Sequence, residues 1–474
     1  MSKSFYLTTT LPYVNAEPHI GFALELVQAE IVARYRALTG DEVFFNTGTD
    51  EHGLKVFRKS QEEGKDPQVY TDEYAAKFRI LPTKLGVSSD VHFIRTTDEH
   101  HKQAAQEFWK RCEKDIYKKT YKGLYCVGDE AFVKESDLVN GRCPNHPTMD
   151  LIEIEEENYF FALSKYQDRL LKYLEQPNVI VPEWRRQEAI NFVRSGLEDF
   201  SISRVKDRLP WGVPVPNDDT QVMYVWFDAL VNYISTLGWP DEAGNYKKFW
   251  VDGETLQLAG KDQVRFQSVM WQAMLMSAGL DTTDKVLYHG FITSGGQKMS
   301  KSIGNVIEPV AVIDEYGADA VRYFLARHVS PFEDSDFTME RFKEAYNADL
   351  ANGLGNLAAR IMTLAETNLS EPVERPETGF PVDYTNALNA YQFKEALDSV
   401  WLRIAAIDQE ITNKEPYKVI KTDPEKGREQ IRWLALELYK IARLIAAFMP
   451  ETSKILKEAV LANKKPANLF PRKE

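Results

Sequence analysis

Residues 4–47 read SFYLTTTLPYVNAEPHIGFALELVQAEIVARYRALTGDEVFFNT, and the fold class follows from this stretch. Residues 4–10 are β-branched and aromatic, the composition of a strand. LPYVNAEP is turn-like. Asn15 is a capping type, and Pro18 suits the first turn of a helix because it has no N–H to leave unpaired. Ile20, Leu24, Val27, Ile31, Tyr35 and Leu38 then recur at steps of three and four, one apolar stripe along a helix. Gly40 ends it, and strand character returns at 43–47. Strand, helix, strand predicts a βαβ unit in a parallel sheet. Ligands of such sheets bind at the carboxyl ends of the strands, where helix N-termini point. His19 and Gly21 stand there. Free N–H groups and the helix dipole favour phosphate, an imidazole adds a donor, and glycine admits a ligand close to the backbone. A surface histidine beside a packing glycine fits the same two residues.

The chain has 474 residues, too many for one core, so several domains are expected. Hydrophobic residues at 43% and charged residues at 27% are ordinary for a folded protein. Three cysteines, Cys112, Cys126 and Cys143, exclude a disulfide framework. No apolar run approaches the ~20 residues of a membrane span. The opening MSKSFYLTTT has no signal-peptide pattern, so a cytoplasmic protein without a membrane partner is expected. The net charge of −13 argues against a general nucleic-acid coat. From residue 401 onward, however, 15 Lys/Arg stand against 10 Asp/Glu. A basic end on an acidic body fits local RNA contact, and it equally fits a solvated helix surface.

Residues 290–306 read GFITSGGQKMSKSIGNV. Gly295 and Gly296 make a hinge, and Lys298 and Lys301 flank Met299 and Ser300. Two ammonium groups on a hinged loop can close on a leaving pyrophosphate and stabilise its growing charge. A lone Lys-x-x-Lys would be read as a solvated loop. Further on, Leu350, Leu354, Leu357, Ile361 and Leu364, then Ile431, Leu434, Leu438, Ile441 and Ile445, again step by three and four, which predicts a helical bundle.

PHIG at a strand–helix turn and KMSKS in full, about 280 residues later, are the two signatures of class I aminoacyl-tRNA synthetases, and the chain resembles that family. TLPYVNAEPHIG, FNTGTDEHG, EEENYFFALSKY, LEDFSISR, MYVWFDALVNYI, AGKDQVRF and KMSKSIGNVIEP resemble the methionyl-tRNA synthetase family in particular, in family order from residue 5 to beyond 420. The large editing insertion of valyl, leucyl and isoleucyl enzymes has no room here. The resemblance implies an α/β Rossmann-like parallel-sheet catalytic domain in two halves, 1–114 and 210–328. They are split by a connective, acceptor-end insert at 115–209. A linker at 329–345 then leads to an all-α anticodon-binding bundle at 346–474. It implies two reactions: methionine and ATP give methionyl-adenylate and pyrophosphate, then the methionyl group passes to the 3′-terminal adenosine of its tRNA. The attacking carboxylate needs no base, so orientation and charge stabilisation would carry the first step. ATP with Mg²⁺ and both initiator and elongator tRNA are the implied partners. The chain lacks the appended dimerising domain of some relatives, so a monomer is expected.

Residue by residue, the resemblance makes His19, Gly21, Lys298, Lys301 and Arg204 catalytic. It places ATP on His19, Gly21, Lys298 and Lys301, with Gly260, Lys261 and Asp262 on the adenosine and ribose side. Asp50 matches the carboxylate that receives the substrate ammonium, and Arg204 an arginine tied to the active-site carboxylates. Leu11, Tyr13, Trp226, Ala229, Leu230 and Tyr233 match the methionine pocket. Trp226, Ala229 and Tyr233 share a helical face, and aromatic rings suit a thioether, though ordinary core packing would use the same spacing. Asn356 and Arg360 match anticodon-contacting residues, and Tyr417 stands where the family stacks a base on tryptophan.

The chain departs from the family at several places. Phe22 replaces the second histidine of the first signature, which predicts slower activation, not a dead enzyme. Gln263 and Gln267 replace an apolar residue and a histidine, and Gln267 would line the methionine pocket. Buried amides need partners, with Arg265 one candidate. Cys126, Asp129, Cys143 and His146 resemble a zinc knuckle with one cysteine replaced, while YCV-x-DEAF resembles the metal-free type, so zinc is left open. The alternatives are a tRNA-binding paralogue that no longer activates an amino acid, and a class I synthetase for another amino acid.

Overall fold

The computed structural model describes residues 3–473 apart from 129, 130, 134, 145, 300–303 and 378, and of 121, 131, 136 and 298 the backbone alone. The chain forms two compact units. One gathers the residues up to Pro18 with Gly40–Ile80 and Asp90–Tyr288. The other gathers His19–Thr39, Leu81–Ser89 and the residues from His289 on.

In the first unit six strands lie in the order His92–Arg95, Glu42–Thr49, Ser4–Thr8, Glu254–Gly260, Lys285–His289, Ile180–Val181. Ser4–Thr8 pairs in parallel with both neighbours, and the pairings at the two sheet edges are parallel as well. Chain order reverses at Ser4–Thr8, the kind of switch point beside which such sheets bind ligands. The edge strand Ile180–Val181 falls inside the stretch 115–209 expected to form the insert. Two residues are too short to show a period. Around 116–161 a long antiparallel hairpin, Ile116–Cys126 with Ile152–Phe161, is the centre of a separate four-stranded sheet. The core of this unit is aromatic: Phe108 lies 5.5 Å from Trp271, 5.8 Å from Trp239 and 5.9 Å from Phe227. Each such ring pair is worth ~0.5–1.5 kcal/mol beyond its buried area, so the cluster anchors the helix Glu99–Cys112 firmly.

In the second unit the helix Ile20–Leu38 buries Ile20, Leu24, Val27, Ile31 and Tyr35 as the stripe predicts, while Leu38 is exposed. Glu25, Gln28 and Glu30 are buried too, so this helix is enclosed on more than one face. Both glutamates have partners, while the Gln28 amide has none among the described residues. Glu25 lies 2.9 Å from His289 Nε2, and Arg34 pairs with Glu30 one turn away. Gly290 is required next to His289, because a Cβ there would sit 2.1 Å from the Glu333 carbonyl carbon. Ile292–Ser294 and Gln297–Lys298 form a hairpin turned by Gly295 and Gly296, both at positive φ. Beyond it Asn356–Asn368, Phe393–Lys414, Pro424–Leu444 and Pro450–Ala462 are helices. Leu350, Leu354, Leu357 and Ile361 are buried and Leu364 is half-buried, while all five residues of the stripe from Ile431 to Ile445 are buried.

Candidate active site

At the carboxyl end of Glu42–Thr49 the chain turns through Asp50, Glu51 and His52, and these three side chains are almost fully buried. Asp50 pairs with the segment after the first strand. Its N–H donates to Pro12 O at 3.0 Å, and it accepts from Val14 N–H at 3.2 Å, which sets Tyr13 beside it. Glu51 is the keystone of the turn. Arg95 donates to its two oxygens at 2.7 and 2.8 Å, Thr49 Oγ1 and Thr97 Oγ1 donate to the same carboxylate, and its own N–H donates to Thr96 Oγ1 at 2.9 Å. Trp211 Nε1 donates to Glu51 O at 2.6 Å. A buried charge is tolerated only when paired and hydrogen-bonded in this way. Nothing in the sequence pattern singled out Glu51; an acidic residue followed 44 positions later by arginine carries no local signal.

Tyr13 faces Trp226 edge-on at 6.1 Å, and Trp226 stacks on Phe266 at 4.0 Å. This places Tyr13, Asp50 and Trp226 together and adds Phe266, which the sequence reading missed although it lies one residue before Gln267. Trp226 and Ala229 are on the helix Val225–Leu230, and Tyr233 is on a separate short helix, Asn232–Ser235; the expected single helix is interrupted at Val231. Ala229, Leu230 and Tyr233 are buried, and Leu11 is half-buried. Gln267 Nε2 donates to the Tyr233 hydroxyl, and Tyr6 donates to Tyr233 O at 2.8 Å. Gln263 donates to Asp262 at 2.9 Å. Arg265 partners neither glutamine in these contacts and lies over the Phe192 ring. Gly260 ends the strand Glu254–Gly260, with Lys261 and exposed Asp262 just beyond it. Asp50 and the Gly260–Asp262 segment thus both lie at carboxyl ends of strands in one sheet.

In the second unit His19 caps the helix Ile20–Leu38. Gly21 N–H donates to His19 Nδ1 at 3.1 Å, so a neutral ring carries its proton on Nε2, pointing a donor away from the helix. The ring can fold back only because residue 21 is glycine; a Cβ there would meet it at 2.9 Å. Phe22 is buried at 8% exposure, so its ring belongs to a packed face of the helix. Ile20 N–H donates to Ile307 O at 3.1 Å, tying this helix start to the segment after KMSKS. Lys298 is described only as backbone in the hairpin, and Lys301 lies outside the described residues.

Arg204 is buried among rings: Tyr224 at 4.5 Å, Tyr125 at 5.2 Å and Phe132 at 5.4 Å. It donates to Ser201 Oγ and Ser203 O. Burial pulls its pKa down, but Tyr125, Tyr224 and Glu156 outweigh this and raise it. Cys126, Cys143 and His146 bring their ligand atoms within 4.8 Å of one another, and Asp129 lies outside the described residues. Gly128 permits this approach, since a Cβ would lie 2.4 Å from the His146 ring. Two sulfurs and an imidazole at this spacing fit zinc.

Asn356 is exposed at the start of its helix, and Arg360, one turn on, is ion-paired with Asp408. Tyr417 is 42% exposed on the helix Pro416–Thr422, its hydroxyl donating to Glu415 at 3.1 Å. Among the described residues no helix is long and apolar enough to cross a membrane.

Comparison with known proteins agrees over the whole chain. The family model "tRNA synthetases class I (M)" matches residues 5–150 and 147–362. Methionine–tRNA ligase of Thermotoga maritima is 41% identical over 98% of this chain and 76% of its own length. That of Rickettsia bellii is 40% identical over 96% and 92%. The structure of Mycobacterium tuberculosis methionyl-tRNA synthetase in complex with methionyl-adenylate superposes with a TM-score of 0.89 at 35% identity, covering 100% of this chain and 99% of that one. The apo form of the same enzyme gives 0.83. The chain belongs to the methionyl-tRNA synthetase family of class I tRNA synthetases.

Proposed function

We propose that the chain is a methionine–tRNA ligase, and that the sheet end carrying Asp50, Tyr13 and Trp226 is its amino-acid site. The observation that carries this is the join between a buried carboxylate and an aromatic wall, Asp50 bridged to Tyr13 and Tyr13 edge-on to Trp226. A carboxylate meets the ammonium of an amino acid, and rings meet a thioether. Ala229, Tyr233, Leu11 and Gln267 complete the pocket. Gln267 Nε2 fixes the Tyr233 hydroxyl, while its buried Oε1 has no hydrogen-bond partner among the described residues.

The methionine carboxylate oxygen attacks the α-phosphorus of ATP, and the bond to pyrophosphate breaks. The His19 Nε2–H and the Lys298 and Lys301 ammonium groups stabilise the charge that develops on the phosphates, while Gly260 and Asp262 hold the nucleoside. Arg204 supports the active-site carboxylates. Mg²⁺ arrives with ATP as part of the substrate. The tRNA terminal adenosine hydroxyl then attacks the carbonyl and AMP leaves. Asn356, Arg360 and Tyr417 take the anticodon of initiator and elongator tRNA. Cys126, Cys143 and His146 would hold a zinc ion, and it would staple the insert.

ATP–pyrophosphate exchange with each of the twenty amino acids tests the reading. Exchange with methionine alone is expected. Exchange with another amino acid would replace the methionine assignment. No exchange with any, in protein that still binds tRNA, would establish the non-catalytic reading.

A further inference from the structure

Asp228 is fully buried on the helix Val225–Leu230, between Trp226 and Ala229 in sequence. Its oxygens face two imidazoles from distant parts of the chain. His52 Nδ1 lies 3.2 Å from Oδ2, and His101 Nε2 lies 3.8 Å from Oδ1. Neither carboxylate oxygen has a conventional hydrogen-bond partner among the described residues. Both histidines are buried, at 2% and 0% exposure. Burial alone would push the Asp228 carboxyl up, but His52 and His101 outweigh it and hold it below the usual range. The outer contacts of the cluster are specific. His101 Nδ1 lies 3.0 Å from Ser235 Oγ, His100 Nε2 lies 3.1 Å from Ser235 O, and the His52 ring packs edge-on to Trp211 at 5.5 Å.

The elements joined in this way are the ones that present the proposed pocket. His52 is two residues after Asp50, Asp228 is two after Trp226, and Ser235 is two after Tyr233. A carboxylate buried this deeply is expensive, and replacing it with Leu or Asn in a merely packed core costs less than burying it. We infer that Asp228 is a positioning residue for methionine: through His52 and His101 it locks the Asp50 turn, the Trp226 helix and the Tyr233 helix into one fixed spacing. This rests on the proposed function. Among the described residues the outer contacts of the cluster run to Ser235 and Trp211, and the Gly260–Asp262 segment lies two strands away from the Asp50 turn in the sheet, so the role is selective for the amino acid over ATP.

The test is pyrophosphate exchange by the full chain with Asp228→Asn, which keeps the shape and removes the charge. KM for methionine should rise about tenfold, with KM for ATP and kcat within about twofold of wild type. His52→Gln, which keeps a donor and the carboxylate, should raise the same KM. The double variant should be no worse than Asp228→Asn alone, because both remove one interaction. If Asp228→Asn does not fold, His52→Gln carries the test. An unchanged methionine KM would overturn the inference. So would an equal rise for methionine and ATP with a lower melting temperature, the mark of a purely structural role. A wild-type chain without methionine-dependent exchange would overturn the proposed function, and the positioning role with it.

Discussion

The turn at Asp50 and the surface at Asn356 and Tyr417, the two regions proposed to recognise polar ligands, are built in opposite ways. Asp50, Glu51 and His52 are at most 2% exposed, and Glu51 alone is gripped by Thr49, Arg95, Thr96 and Thr97. Asn356 stands in solvent, and Tyr417 at 42% exposure has one exposed hydrogen bond, to Glu415. The difference follows from the ligands proposed for each. A free amino acid has few atoms, so its site must be set before it arrives, and buried networks do this at the cost of desolvation. An anticodon base brings its own large π-face and a flexible backbone, so an exposed ring that waits for it is enough.

Asp50→Asn breaks the first half of the comparison most severely. It keeps the backbone bonds to Pro12 and Val14 but removes the charge. Methionine-dependent exchange, measured as kcat/KM, should fall by at least ~100-fold, since a charge-assisted contact is lost in a desolvated site. Loss of methionine dependence with retained folding by circular dichroism is the expected outcome.

A second prediction concerns stability in the same unit. Asp115 is buried, which by itself would raise its pKa, but Tyr166, Ser277 and Lys165 bind the carboxylate and hold it below the usual carboxylate range. A folded pKa below the unfolded one means stability that is present above the unfolded value and lost as pH falls through the folded one. Urea unfolding of Asp115→Asn should therefore show a deficit relative to wild type at pH 7 that shrinks below about pH 4.

The fold was legible where short-range pattern carries it. The stretch 4–47 contains a whole βαβ unit, and the stripes at 350–364 and 431–445 are buried as their spacing requires, except that Leu364 is half-buried. The enclosed character of Ile20–Leu38 was not legible, because its apolar stripe gives no sign that Glu25 and Glu30 are buried; their partners are His289, 264 residues from Glu25, and Arg34. The site divides the same way. Asp50, Tyr13 and Trp226, which the structure brings together, were singled out through family motifs, each of which is continuous in sequence. Glu51, Phe266 and the Asp228 cluster were missed, since their meaning lies in contacts between segments 40 to 176 positions apart, and no periodicity reports such contacts. Arg204 was found as a residue, while its aromatic surroundings come from Tyr125, Phe132 and Tyr224, which no motif joins.

The smallest effect sharpens the second half of the comparison. If Tyr417 acts as a stacking face, its ring matters and its hydroxyl does not. Tyr417→Ala should then raise KM for tRNA in charging by roughly five- to a hundredfold, in line with ~1–3 kcal/mol per stacked base, and leave pyrophosphate exchange unchanged. Tyr417→Phe removes only the bond to Glu415, which is solvated and contributes little, so charging should stay within about twofold of wild type. An equal loss in both variants would mean that the hydroxyl reads the RNA directly. The exposed surface would then work by directed hydrogen bonds, as the buried turn at Asp50 does, and the contrast between the two regions would be one of burial alone.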